Sequence, residues 1–252
     1  MNDESPLAGR VALVTGSSRN IGRAIALALA RDGAAVMVNA RTSSDAGARV
    51  VSEIASAGGR AAFHAADVSR PSDVDALVSA TVAAFGGLDI LVNNASVRRE
   101  RAFDALGFDE WKEILGVTLD GAFLCSRAAL PHLAASGRGA IVNIGGLSAH
   151  TGSAGRAHVV AAKAGLVGLT RALAHDLAPQ QITVNCVSPG LIETTRDGAA
   201  QAPAHHLAHT PILGRRGTPE EVAAAVAFLC GPGARYITGQ TVHANGGTYL
   251  GG

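Results

Sequence analysis

The sequence carries no excess of either charge: 21 lysines and arginines stand against 20 aspartates and glutamates, a formal charge of +1 over 252 residues. So close a balance removes the field that draws proteins to nucleic acid or anionic membranes, and leaves a small molecule as the expected partner. Cysteine is scarce too. The three present, Cys125, Cys186 and Cys230, are widely spaced and set among apolar residues. Reduced core thiols are expected from them, and neither a disulfide framework nor a metal site. The N-terminus, Met-Asn-Asp-Glu-Ser-Pro, lacks the basic and apolar regions of a signal peptide, and no unbroken apolar run approaches the ~18 residues of a membrane span. Internal repeats and low-complexity tracts are missing. These absences point to a cytoplasmic protein with one domain over residues 1–252.

What is present is an alternation. Short β-rich runs at 11–15, 35–39, 60–64, 90–93, 140–144, 183–187 and 241–244 are separated by Ala/Leu-rich segments of helical period at 21–32, 44–57, 71–85, 109–135, 155–177 and 219–229. That pattern predicts the α/β class, a parallel sheet covered by helices on both faces. The stretch 191–216 breaks the rhythm after Ser188-Pro189-Gly190 and holds His205, His206 and His209. It is read as a substrate lid, because ligands of open parallel sheets bind beyond the carboxyl ends of the strands. His205 and His209 stand at i and i+4, but without an acidic or thiol neighbour no metal is expected there.

The first strand runs into Thr15-Gly16-Ser17-Ser18-Arg19-Asn20-Ile21-Gly22. Glycines let backbone approach a pyrophosphate, and the following helix offers free N–H groups and a partial positive charge. Further motifs follow in order: Asp67-Val68, Asn93-Asn94-Ala95, Ile182-Thr-Val-Asn185, Pro189-Gly190, Pro219-Glu-Glu-Val222, and Ile237-Thr-Gly-Gln240 through Asn245-Gly-Gly247. From Val11 to Tyr249 the chain thereby resembles the classical short-chain dehydrogenase/reductases, with the 3-oxoacyl-carrier-protein reductases nearest. The resemblance implies a Rossmann-type doubly wound sheet of seven parallel strands, a nicotinamide cofactor and a homotetramer, or at least a homodimer. It assigns cofactor binding to Gly16, Ser18, Arg19, Asn20, Ile21, Arg41, Asp67, Val68, Asn94, Lys163, Pro189, Gly190, Ile192 and Thr194. Asn20 takes the place of the middle glycine of the turn, and asparagine is among the few residues that tolerate positive φ. The second strand ends Val38-Asn39-Ala40-Arg41 without a carboxylate. Arg19 and Arg41 therefore favour NADP(H) over NAD(H), since arginine suits a 2′-phosphate.

The same resemblance implies a catalytic serine, tyrosine and lysine, aided by an asparagine. Lys163 is present, but the tyrosine position is Val159, the serine position Gly146 and the asparagine position Thr118. Loss of general acid catalysis typically costs ~10²- to 10⁴-fold, so ordinary ketone reduction is not expected. Candidate substitutes are Ser148, His150 and His158, histidine because it titrates near neutrality. Adjacent helical residues diverge by ~100°, which turns His158 from Val159 unless the helix starts late. Arg98-Arg99-Glu100-Arg101 borders the substrate side and reads as a solvated charge run or a seat for a carboxylate or phosphate. Three readings follow. One is an NADP(H)-dependent oxidoreductase reducing an iminium, a conjugated C=C or an unusual carbonyl. The second is a silent NADP(H)-binding regulator or subunit. The third is a non-redox enzyme catalysing elimination, isomerisation or hydrolysis.

Overall fold

Val11–Val14 is apolar and buried at every position, as a strand must be when helices cover both faces of a parallel sheet. It forms β1 of a computed structural model that describes residues 5–194 and 210–251. The other strands are β2 (Ala35–Ala40), β3 (Arg60–Ala65), β4 (Ile90–Asn93), β5 (Ala140–Ile144), β6 (Thr183–Pro189) and β7 (Thr241–Ala244). They form one seven-stranded sheet in the order β3-β2-β1-β4-β5-β6-β7, parallel at every pairing. The order reverses between β1 and β4, and this switch point is where a crevice opens at the carboxyl ends of the strands.

The helices are α1 (Asn20–Arg31), α2 (Ser44–Ser56), α3 (Pro71–Phe85), α4 (Phe108–Leu115), α5 (Gly121–Ala135), α6 (Ser148–Thr151), α7 (Ala157–Leu177) and α8 (Pro219–Cys230). On one face Ile25 and Leu29 of α1 share a core with Val222 and Val226 of α8. On the other, Leu77 of α3, Leu133 of α5 and Leu177 of α7 pack over Leu13, Leu91 and Ile141. The continuous helix expected over 109–135 is instead divided by a π-helical turn, Gly116–Asp120. Glycines sit at its first position and just beyond its last, and one added residue there re-phases the two halves. At Gly121 a Cβ would lie 2.9 Å from Val68 Cγ2, so only glycine lets α5 come this close.

Two helical stretches, Phe108–Ala135 and Ala157–Gln180, reach membrane-span length and apolarity, which the search for an unbroken apolar run did not anticipate. Both lend residues to the core, among them Cys125, Ala129, Leu133, Ala174 and Leu177. All three cysteines are buried free thiols, and burial pushes Cys125 and Cys230 up to about 12. At the end of the sheet away from the crevice, buried Arg10 gathers three carbonyls. It donates to Cys230 O, to Asp89 O at 3.3 Å and to Arg138 O at 2.6 Å.

Candidate active site

The Gly-rich turn after β1 folds back so tightly that its glycines are obligatory. Gly16 adopts φ +61°, and a Cβ there would lie 2.8 Å from Ala95 Cα. At Gly22 a Cβ would meet Gly16 O and stand 2.5 Å from Asn94 Nδ2. Asn20 does adopt the left-handed conformation, φ +50°, as its place in the turn requires. Arg19, which precedes α1, provides no capping side-chain hydrogen bond, and the first turn of α1 holds no acidic residue. Its N–H groups and dipole therefore face the crevice ready for an anion.

Two asparagines brace the turn. Asn94 Nδ2 donates to Thr15 O at 2.9 Å and to Gly16 O at 2.8 Å, while its backbone N donates to Thr15 Oγ1 at 3.0 Å. Asn39, at the end of β2, accepts from Gly16 N at 3.2 Å and donates through Nδ2 to His64 O and Ala66 O. Sequence reasoning assigned Asn94 but missed Asn39; the signal was a polar residue inside an otherwise apolar strand.

One cleft of about 890 Å³ runs across this end of the sheet. Its wall includes Gly16, Ser18, Arg19, Asn20 and Ile21 from the turn, and Arg41, Asp67 and Val68 from the ends of β2 and β3. Asn94 from β4, Lys163 from α7, and Pro189, Gly190, Ile192 and Thr194 from the end of β6 complete it. Every residue assigned to the cofactor thus faces one space. At Gly190 a Cβ would lie 2.7 Å from Asn245 Cα, which explains the glycine. Arg41 stands 3.7 Å from Asp67 Oδ2. Burial alone would raise the Asp67 carboxyl, but hydrogen bonds from Ser69 and the charge of Arg41 leave it below its ordinary value. A cradle that any Cβ would fill, an uncapped helix start and a cleft of this volume fit a dinucleotide.

At the other end of the cleft, α7 presents Arg156, Val159 and Lys163. Val159 is buried and packs with Ile114 and Ala162. Lys163 Nζ donates to Ile144 O at 2.5 Å. Burial first, then repulsion from Arg98 and Arg156, brings its pKa down to about 7. Gly146 and Ser148 also line the cleft, and a Cβ on Gly146 would meet nothing within 4 Å. Thr118 is buried, its hydroxyl 3.1 Å from that of Ser96.

The two histidines do not join them, which corrects their candidacy. His150, in α6, faces away from the cleft, its ring edge-on to His243 at 4.6 Å and stacked on Tyr249 at 5.2 Å. Burial, then the charges of His243 and Arg171, lowers its pKa. His158 is fully buried, with Nε2 3.8 Å from Glu110 Oε1 of α4. Because α7 begins at Ala157, turning Val159 into the cleft turns its neighbour out of it.

In the Arg98–Arg101 loop, Arg99 binds Glu113 and Arg101 Nε donates to Glu110 at 3.1 Å, whereas Arg98, Arg99 and Glu100 reach the cleft wall. Arg156 was missed in sequence; a basic residue three positions before Val159, on the same helical face, was the available signal. The histidines 205, 206 and 209 and most of the expected lid lie outside the described residues. The segment bases are joined, Glu193 N donating to Gly217 O at 2.9 Å and Gly217 N to Leu191 O at 3.0 Å.

A doubly wound sheet with a phosphate-ready turn at its switch point and a buried lysine across the cleft defines a dinucleotide-binding oxidoreductase of the Rossmann type. Comparison with known proteins makes the assignment narrower. Residues 16–249 match the family model described as enoyl-(acyl carrier protein) reductase. The chain is 42% identical to the 3-oxoacyl-[acyl-carrier-protein] reductase FabG of Vibrio cholerae, over 97% of its own length and 99% of the relative's. With the Staphylococcus aureus FabG it shares 40% identity over 95% of the chain and 98% of the relative. Among solved structures, a short-chain dehydrogenase/reductase from Serratia marcescens superimposes with TM-score 0.91 at 39% identity, covering 97% of this chain and all of that one. A short chain dehydrogenase from Burkholderia cenocepacia in complex with NADP gives 0.89 at 40% identity, over 96% and 99% of the two chains. The chain belongs to the short-chain dehydrogenase/reductase family.

Proposed function

We propose that this protein is an NADP(H)-dependent reductase whose substrate accepts hydride without a proton from a side-chain phenol. Suitable substrates are an iminium, a conjugated C=C, or a carbonyl activated in some other way. The observation that carries the reading is Val159 one helical turn from Lys163 on the wall of an otherwise complete cofactor cleft. Gly146 and Thr118 stand at the other positions where the family resemblance expects hydrogen-bonding catalytic side chains.

NADP(H), bound, supplies the hydride; its phosphates suit the Gly16–Ile21 turn and its 2′-phosphate the guanidinium groups of Arg19 and Arg41. Lys163 holds the far ribose, its Nζ fixed by Ile144 O. Val159 contributes an apolar wall that keeps water from the reacting face. An iminium already carries its charge and needs no acid on reduction, and an enolate formed from a conjugated C=C can take its proton from solvent. The 3-oxoacyl reduction in the relatives' names is a ketone reduction, for which an acid contributes ~10²- to 10⁴-fold.

The test is NADPH consumption by purified protein against matched imines, enones and ketones. Turnover of an imine or enone well above that of the ketones is expected, with NADPH preferred to NADH. Background consumption with all three classes would sink the reading.

A further inference from the structure

The remodelled end of the cleft is cationic as well as poor in hydroxyls. Arg156 and Lys163 are both buried, at 7% and 6% exposure, and both face the cleft with Val159 between them. They lie seven residues apart on one side of α7, about 10 Å along the axis. Arg98 is brought to the same wall because the loop carrying it is tied to the start of α7: Arg101 N donates to Gly155 O at 2.7 Å. Gly155 makes this approach at φ +67°. The acidic groups nearby do not balance these cations. Glu113 is taken by Arg99 and Glu110 by Arg101, which leaves Glu100 as the one carboxylate on this part of the wall.

Two like charges buried in one cavity wall oppose each other, and a guanidinium withdrawn from water is costly unless an anion meets it. The forked donors of arginine match a carboxylate in two parallel hydrogen bonds. We infer that this end of the cleft selects a small substrate bearing a carboxylate within a few bonds of the group to be reduced, seated on Arg156 with Arg98 at its rim. The short distance follows from the geometry: an anion on Arg156 is one helical turn, about 5 Å, from Val159. Substrates with long neutral acyl chains gain nothing from this wall.

The inference rests on the reductase reading only for the words "to be reduced"; the anion seat is testable without turnover. Protein loaded with NADP⁺ is titrated calorimetrically with 4-oxopent-2-enoate and with its methyl ester, then with the acid in the presence of inorganic phosphate. The acid is expected to bind about 10- to 100-fold tighter than the ester, as charge-assisted hydrogen bonds imply, with phosphate displacing it weakly. Arg156→Gln should abolish the preference, Arg156→Lys should keep much of it, and Arg98→Gln should reduce it, while NADP⁺ affinity stays as in the native protein and reports that each variant is folded. Equal binding of acid and ester by the native protein, a preference that survives Arg156→Gln, or displacement by equimolar phosphate overturns the inference. If the acid binds as described but no imine, enone or ketone consumes NADPH, the reductase reading fails and the anion seat stands.

Discussion

Lys163 is the residue on which two properties of this protein meet. Its ammonium is buried beside Arg98 and Arg156, and its pKa has fallen from 10.5 to about 7. Between those values the unfolded chain holds a proton that the folded chain has released, so stability rises with pH across that window, and below about 7 the penalty is present in full. Urea unfolding of the native protein and of Lys163→Met should show it. From pH 7 to pH 9 the native protein gains stability relative to the variant, and a parallel response of the two would contradict the assignment. The vacant positions make a second prediction. A side chain at Gly146 has open space around it, and Val159 already faces the cleft. Gly146→Ser, Thr118→Asn and Val159→Tyr together should therefore raise NADPH-dependent ketone reduction by about 10² or more, the contribution of a positioned acid. A steady-state assay on 3-oxoacyl thioesters measures it.

At the scale of elements, the parts that hold the cleft in place are stitched by polar side chains in the core. Asn93 of β4 donates to Asn143 Oδ1 of β5 at 2.8 Å and to Ser126 of α5 at 3.2 Å. Asn143 Nδ2 donates onward to Thr170 Oγ1 of α7 at 2.9 Å. Thr170→Val strands the Asn143 amide and should cost about 1–3 kcal/mol, read as a lower urea midpoint at unchanged slope. The elements themselves were legible in sequence because burial on both faces writes strands as apolar runs and helices as Ala/Leu periods. β4, β5, β7 and α3 have the expected limits. The break at Gly116–Asp120 was not legible, since a π turn changes phase by one residue without changing composition. The cofactor end was readable because it is made of local turns whose glycines are visible in order. The substrate end was not, because it depends on which way α7 is rotated: that rotation hid His158 against Glu110 and brought Arg156 into view.

For the molecule as a whole, large aromatics remain on the surface, among them Phe103, Phe108, Phe123 and Phe228. Apolar patches of that kind commonly mark contact between subunits. We propose a homotetramer, so light scattering from a sizing column should give four chains per particle; a monomer at micromolar concentration would contradict it. The sheet order has a further consequence, for synthesis. Every strand made after β1 joins an outer edge, β2 and β3 on one side and β4 through β7 on the other, so the sheet can widen as the chain leaves the ribosome without inserting a strand between two others. The first helix does less well. Ile25 and Leu29 of α1 are covered by Val222 and Val226 of α8, and Arg10 waits for the carbonyl of Cys230. At ordinary translation rates α8 follows α1 by about 10–40 s, and through that interval the nascent chain carries an uncovered apolar stripe, a natural landing place for a chaperone.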